Sequence, residues 1–169
     1  MTGKVYLVGA GPGDPKLITL RAVELIKKAD VVLYDRLVSK KILSMIPKRT
    51  KSIYVGRAVG DDTTHQNTTN ELMVKYAKLQ KSVVRLKGGD PIIFGRGGEE
   101  AEFLKSFDVK YEIIPGITSG IGSATYAGIP LTHREFASSV VFVTGHEDPE
   151  KKSEVVKWKK LAKSVDTIV

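Results

Sequence analysis

The chain has 169 residues, enough for one ordinary domain or two small ones that bury a hydrophobic core. No apolar run approaches the roughly 20 residues of a membrane helix, and the N-terminus lacks a signal-peptide pattern, so we expect a cytoplasmic protein without membrane spans. Because cysteine is absent, we expect neither disulfides nor cysteine-based zinc sites. The formal net charge of +8 favours polyanionic partners, with nucleic acid, a membrane surface and a polycarboxylate metabolite all open.

Apolar runs typical of buried strands alternate with segments of helical periodicity along the whole chain. We predict strands at 4–8, 31–34, 52–55, 82–86, 110–114, 140–144 and 165–169. We predict helices at 17–29, 39–46, about 68–80, 99–107, 119–127 and 150–162. The polar stretch 61–69 is predicted to be a loop, and Thr68 and Glu71 have the spacing of a capping box at the start of the following helix.

This alternation predicts an α/β fold with a parallel sheet that helices cover on both faces. Ligands then belong at the carboxyl ends of the strands, near a switch point. The break at Pro115-Gly116 predicts an N-terminal α/β domain over residues 1–114 and a linker with a second α/β domain over residues 115–169. Because the sequence stops on the apolar segment 165–169, we expect the second domain to be incomplete.

The first glycine loop, Gly9-Ala-Gly-Pro-Gly13, does not match a phosphate-binding motif. Its glycines have the spacing GxGxG, Pro12 lacks the backbone N–H that would face a pyrophosphate, and the lysine of a P-loop is missing. We interpret the loop as a turn that lets a ligand without phosphates approach the backbone. A plain tight turn stays as the alternative.

A second glycine-rich segment extends from Arg85 to Glu99. A predicted strand runs into Gly88 and Gly89, which permit positive φ and the close approach of a ligand. Asp90 follows at the strand end, where its carboxylate could accept hydrogen bonds from a ribose or an ammonium group. The segment suits a nucleoside without phosphates, although the spacing alone fits an ordinary connection equally well.

Several short motifs occur in order along nearly the whole chain. They are Gly-Ala-Gly-Pro-Gly-Asp14, Tyr34-Asp-Arg-Leu-Val38, Val84-Arg-Leu-Lys-Gly-Gly-Asp-Pro91, Phe94-Gly-Arg-Gly-Gly-Glu99, Pro115-Gly-Ile-Thr118, Gly128-Ile-Pro-Leu-Thr-His-Arg134 and Val143-Thr-Gly-His146. Each motif is weak alone. The ordered series resembles the tetrapyrrole methylase family, and within it most closely the uroporphyrinogen-III methyltransferases.

The resemblance implies two α/β domains with an S-adenosylmethionine cleft between them, and S-adenosylhomocysteine as a product. It implies the methylation of uroporphyrinogen III at C2 and C7 to give precorrin-2, in sirohaem and cobalamin biosynthesis, by a homodimer. Further cofactor contacts are expected beyond Val169. The cofactor positions of the family match Pro12, Gly88, Gly89, Asp90, Ile93, Thr118 and Ser119.

The resemblance also assigns a pair of proton-transfer positions. Asp35 matches the proton acceptor of the family, and a carboxylate at a strand end is a reasonable base for the proton that leaves a methylated pyrrole. The usual lysine after Val55-Gly56 is replaced by Arg57. Arginine holds its proton too strongly to be a general acid near neutral pH, so a bidentate clamp on a substrate carboxylate suits it better.

The substrate implied by the resemblance carries eight carboxylates. The candidates for binding them are the basic residues that flank the motifs, Arg36, Lys87, Arg96 and Arg134. The three histidines lack ligand spacing, so we expect no metal site. Another precorrin methyltransferase is one alternative. The other is a basic nucleic-acid-binding module, which the lack of an RNA-binding signature, zinc finger or aromatic-interleaved basic patch opposes.

Overall fold

The computed structural model describes residues 3–56, 64–145 and 156–169, with the backbone alone for residues 64–67. The chain divides into two compact units, Met1–Ser119 and Gly120–Val169. The domain boundary expected after residue 114 and the incompleteness of the second domain stay predictions.

A parallel five-stranded sheet forms the centre of the first unit and confirms the predicted α/β class. Its strands are β1 (Lys4–Gly9), β2 (Val31–Tyr34), β3 (Lys51–Tyr54), β4 (Val83–Lys87) and β5 (Lys110–Ile114). They lie in the order β3-β2-β4-β1-β5, and every neighbouring pair is parallel. The central strand, β4, is buried along its whole length, as expected for a strand covered on both faces.

Helices cover this sheet on both faces. They are α1 (Leu20–Lys28), α2 (Lys40–Leu43), α3 (Thr64–Lys78) and α4 (Gly97–Ser106). Ile26 of α1 and Ile42 of α2 are buried in one apolar cluster, whereas Met73 of α3 and Leu104 of α4 are buried in another. The connections after β1 and β2 therefore cross one face and those after β3 and β4 the other, so β4 sends its connection to the face opposite to those of both its neighbours, β2 and β1, as at a switch point.

Helix α3 begins earlier than the sequence predicts. The helix already includes Thr64, so the prediction of a loop at 61–69 is wrong from residue 64 onward. Thr68 therefore lies inside the helix and does not form a capping box with Glu71 at its start. The first three residues of that loop lie outside the described residues. Polar residues of weak helix propensity cost only about 0.5 kcal/mol each in a helix. The buried side chain of Met73 and its apolar neighbours stabilise the helix enough to include them.

The second unit contains shorter elements, namely α5 (Ser119–Tyr126, whose first residue belongs to the first unit), β6 (Val140–Val141), α6 (Trp158–Leu161) and β7 (Thr167–Ile168). β6 and β7 pair in parallel, and the Val143 N–H donates to the Val169 carbonyl at 2.8 Å. The two predicted strands are thus present, although both are shorter than expected.

The helix predicted at 150–162 is only partly present among the described residues. Residues 156 and 157 are not helical and α6 is a single turn, while residues 150–155 lie outside the described residues. None of the residues of α6 is buried. Because a short helix depends on packing for its stability, this exposed lysine-rich segment does not extend further.

Candidate functional site

A cavity of about 540 Å³ opens at the carboxyl ends of the strands of the first unit. Loops after all five strands line it, with Gly11 and Pro12 following β1, Asp35 to Leu37 following β2, Gly56 following β3, Gly88 and Gly89 following β4, and Thr118 and Ser119 following β5. This is the edge of the sheet at which the sequence predicts a ligand site. The volume lies within the range of small-molecule sites, about 300–1,000 Å³.

Three glycines bring the ends of β1, β4 and β5 into contact beside this cavity. A Cβ at Gly9 would lie 2.6 Å from the Gly116 nitrogen and 2.7 Å from the Gly89 carbonyl oxygen, so only glycine fits there. Gly11 and Gly89 exchange two backbone hydrogen bonds, of 3.1 and 2.8 Å. Both have positive φ, 75° and 65°, which confirms the conformation expected of Gly89.

Gly88 is required for a different reason. It is not among the described residues of positive φ, but a Cβ there would lie 2.6 Å from the Leu37 Cβ in the loop after β2. The two adjacent glycines therefore serve separate purposes. Gly88 lets the β2 loop approach, and Gly89 turns the chain towards the loop after β1.

Asp90 uses its carboxylate to hold these loops together. Oδ1 accepts hydrogen bonds from the N–H groups of Ile92 at 2.8 Å and Ile93 at 3.2 Å. Oδ2 accepts from the Gly116 N–H at 3.0 Å. Both oxygens thus have backbone partners, so the residue fixes the shape of the loop, a role that the sequence interpretation missed.

Most of the residues predicted for the site lie around the cavity. Those that line it are Pro12, Asp35, Arg36, Lys87, Gly88, Gly89, Ile93, Arg96, Thr118 and Ser119. Arg134 belongs to the second unit, where its side chain is exposed. Asp90 is not among the residues that line the cavity, and Arg57 lies outside the described residues.

A buried chain of alternating charges extends from the cavity into the first unit. Arg85 Nη2 lies 3.4 Å from Asp35 Oδ2, and Arg85 Nε donates to Glu100 Oε1 at 3.1 Å. Lys87 Nζ donates to the other oxygen, Glu100 Oε2, at 2.8 Å. The Glu100 side chain is wholly buried, whereas that of Asp35 is 22% exposed. The carboxylate predicted to act as a base is therefore the end of the network nearest to solvent.

Arg85 and Glu100 were not predicted as site residues. One signal was available, because Arg85 and Lys87 are cations two positions apart in a strand that is otherwise apolar, and side chains at that spacing share one face. Their partner on α4 could not be read from the sequence. Nothing in the periodicity of α4 shows which of its acids is buried.

Lys87 is more enclosed than a residue expected to bind a substrate at the surface. Burial, followed by the neighbouring guanidinium of Arg85, lowers the pKa of Lys87, while Glu100 opposes that shift. Its ammonium lies against Glu100 although the side chain also lines the cavity. Contact between Lys87 and a substrate carboxylate stays a prediction.

The rim formed by the loop after β4 contains a strained backbone. Phe94 and Arg96 have φ of 53° and 57°, a region that costs a non-glycine residue roughly 1–2 kcal/mol. The Arg96 guanidinium donates to Glu99 from Nε at 2.9 Å and from Nη2 at 2.5 Å, and this hydrogen bonding raises the pKa of Arg96. The loop thus holds Phe94 and Arg96 on the cavity wall.

Among the residues that the structure describes, no group of three or more His, Cys, Asp or Glu side chains is arranged to hold a metal ion. No helix in the described ranges has the length and apolar character needed to cross a membrane.

Comparison with known proteins places the chain in a family. The profile of the Tetrapyrrole (Corrin/Porphyrin) Methylases matches residues 4–169, and the chain therefore belongs to the tetrapyrrole methylase family. The uroporphyrinogen-III C-methyltransferase of Bacillus subtilis is 58% identical over 99% of this chain, which spans 65% of the length of that relative.

Solved structures of the family share this fold. The uroporphyrin-III C-methyltransferase of Thermus thermophilus complexed with S-adenosylhomocysteine is 46% identical, with a TM-score of 0.71 over 86% of this chain and 57% of that one. The cobalamin biosynthetic enzyme cobalt precorrin-4 methyltransferase is 34% identical, with a TM-score of 0.80 over 95% of this chain and 64% of that one.

Proposed function

We propose that this chain belongs to an enzyme that transfers methyl groups from S-adenosylmethionine to C2 and C7 of uroporphyrinogen III, giving precorrin-2 for sirohaem and cobalamin biosynthesis. The observation that carries the proposal is the position of Asp35, a partly exposed carboxylate on the wall of a cavity at the switch point. The sequence identity of 58% to the uroporphyrinogen-III C-methyltransferase of Bacillus subtilis supports the same substrate.

The cavity suits a cofactor of this kind. S-adenosylmethionine has a ribose and an amino-acid group but no phosphate, and the loop containing Pro12 lacks the N–H pattern of a phosphate site. Gly88 and Gly89 both line the cavity, and a Cβ at Gly89 would meet no atom closer than the Thr118 Cα at 3.8 Å. We propose that the cofactor is held by the family positions Pro12, Gly88, Gly89, Ile93, Thr118 and Ser119, with Asp90 contributing by ordering the loop beside them.

When bound, the cofactor supplies an electrophilic methyl group on a sulfonium. A methylated pyrrole carbon must then lose a proton, and Asp35 is the carboxylate that would accept it. Its Oδ1 accepts a hydrogen bond from the Leu37 N–H at 3.2 Å, and its Oδ2 faces Arg85. Only a carboxylate that is ionised before the transfer can accept this proton.

The carboxylates of the substrate would be bound by basic side chains. Arg36, Lys87 and Arg96 line the cavity, and we include Arg134 from the family motifs. We propose that Arg57 clamps a substrate carboxylate and donates no proton, because a guanidinium stays charged near neutral pH. Exchange of Arg57 for lysine tests this assignment, since a large gain in rate would show that the position transfers protons.

The same proposal includes a homodimer, a cytoplasmic location and no nucleic-acid partner. The family resemblance supports the first, and the absence of cysteine is compatible with the second. Sedimentation at several protein concentrations would test the dimer.

A precorrin methyltransferase of another specificity is less well supported, because the cobalt precorrin-4 enzyme is 34% identical and the Bacillus relative 58%.

Methyl transfer is the direct test. A chain of the relatives' length that contains these 169 residues is incubated with labelled S-adenosylmethionine and uroporphyrinogen III, and label is sought in the macrocycle. We expect incorporation to depend on both substrates and to fall at least a hundredfold in the variant Asp35→Asn. Absence of transfer by the unmodified chain would refute the proposed function.

A further inference from the structure

The contacts of Arg85 indicate more than a structural ion pair. We propose, on the basis of the function proposed above, that Arg85 is a positioning residue that sets the place of the Asp35 carboxylate in the cavity, and that Glu100 holds Arg85 for this purpose. Arg85 lies on β4 and Asp35 in the loop after β2, so the contact links two different strand ends.

The guanidinium of Arg85 is fixed by several contacts. Nε donates to Glu100, Nη1 donates to the Leu86 carbonyl at 3.3 Å and Nη2 faces Asp35. The side chain is only 6% exposed, so it has little freedom to reorient. A planar guanidinium can make these contacts at once because its donors are arranged as a rigid fork.

Asp35 itself has fewer restraints. Among the described residues its carboxylate contacts the Leu37 N–H, two residues away in the same loop, and the Arg85 guanidinium. The Leu37 N–H belongs to the same loop as Asp35, so it cannot fix the position of that loop. The ion pair with Arg85 is therefore the contact that holds the Asp35 carboxylate in place relative to β4.

Charge balance alone does not require this arrangement. Lys87 already provides Glu100 with a cation at 2.8 Å. A second buried cation is expensive to desolvate, and buried ion pairs are weak evidence of a stabilising role. Contact with Asp35 gives a reason for the second cation, because Arg85 extends from Glu100 to the wall of the cavity.

A double-mutant cycle on single-turnover methyl transfer tests this inference. We expect Arg85→Gln to lower the rate about tenfold in the unmodified chain, with KM for the tetrapyrrole and the affinity for S-adenosylhomocysteine within about twofold. In the Asp35→Asn background the same change should have less than about a twofold effect, because Arg85 would act through the missing carboxylate. If the Asp35→Asn rate is below detection, the cycle is run with Asp35→Glu, where the two effects should again fail to multiply.

Folding defects are separated from positioning by further variants. Arg85→Lys keeps the charge, but a single ammonium cannot make the forked contacts, so we expect it to fold, to bind S-adenosylhomocysteine and still to lose rate. If Arg85→Gln does not fold, the rate of Arg85→Lys decides whether Arg85 positions Asp35. Lys4→Gln breaks an ion pair between β1 and β5, with Glu112 at 2.7 Å, and serves as the control with an unchanged rate.

The outcomes are distinct from failure of the proposed function. If the unmodified chain transfers no methyl group, the function itself is wrong. If it is active and Arg85 substitutions reduce the rate by the same factor with and without Asp35, or if Arg85→Lys retains the full rate, Arg85 does not position Asp35.

Discussion

Asp90 and Gly116 are joined by a hydrogen bond of 3.0 Å from the Gly116 N–H to Asp90 Oδ2, although they are 26 residues apart in the chain. The contact ties the loop after β4 to the loop after β5. Because the other carboxylate oxygen accepts from Ile92 and Ile93, one side chain orders two of the five loops around the cavity.

Replacement of Asp90 should therefore cost stability as well as ligand affinity. We expect Asp90→Ala to lower the free energy of unfolding by about 2 kcal/mol, since hydrogen bonds to a charged group are worth roughly 1.5–3 kcal/mol each and water replaces part of the loss. Asp90→Asn should lose less, because its amide oxygen can still accept from one N–H. Urea denaturation measures both, and an Asp90→Ala variant as stable as the unmodified protein would contradict this account.

The glycine contact between strand ends predicts a position-specific effect. Gly9→Ala should destabilise the first unit by about 2–3 kcal/mol, because the added methyl meets backbone atoms that cannot move independently. Gly98→Ala is the matched control, since a Cβ there meets nothing within 4 Å, and in α4 it should be neutral or stabilising by up to about 1 kcal/mol. Equal effects of the two substitutions, measured by chemical denaturation, would exclude this explanation.

The left-handed backbone of Arg96 distinguishes two substitutions that remove the same guanidinium. Arg96→Gly should be more stable than Arg96→Ala by about 1 kcal/mol, because glycine accepts φ of 57° without a Cβ clash. Both should weaken binding of the tetrapyrrole to a similar extent if the guanidinium grips a carboxylate. Paired denaturation and binding measurements check the prediction, which fails if alanine is as stable as glycine.

The stability of the second unit should depend on pH through Asp166. Hydrogen bonds from the Ser138 backbone, and then from the Ser139 and Ser138 hydroxyls and the Ser139 backbone, lower the pKa of Asp166 below 3.8. Because the pKa is lower in the folded state, the carboxylate stabilises the fold above pH 3.8, and this contribution is lost as the pH falls through the folded value.

The variant Asp166→Asn tests this dependence. The difference in unfolding midpoint between the unmodified protein and the variant should be constant above about pH 5 and shrink as the solution is acidified. The fluorescence of Trp158, the single tryptophan, reports on the second unit. A difference that stays constant down to pH 2 would show that Asp166 does not titrate with a lowered pKa.

Strand positions were predictable in this protein because each central strand is a short apolar run bounded by turn residues. β2 and β5 coincide with their predicted ranges, and β1, β3 and β4 differ by a residue at one or both ends. The location of the cavity followed from the parallel order, since loops after parallel strands meet at one edge. Asp35 was assigned to the site by the family resemblance, and the structure places it on the cavity wall after β2.

The partners of the side chains could not be predicted. Whether Glu99 or Glu100 is the buried acid of α4 depends on how the helix rotates against β4, which neither periodicity nor spacing determines. The start of α3 was missed because packing outweighed weak local preferences. Asp90 was correctly expected at the end of a strand, but its backbone partner Gly116 is distant in sequence and could only be seen in the folded chain.

The strand order also constrains how the first unit can be assembled. The first strand, β1, pairs with no strand close to it in sequence, since Val5 lies beside Val83 on one side and Tyr111 on the other. A ribosome must therefore deliver most of this unit before β1 can be incorporated. Non-local parallel pairing of this kind is slow to form and leaves apolar edges exposed meanwhile. The time for which a nascent chain needs protection from aggregation is thus set by the position of β4 and β5 in the sequence.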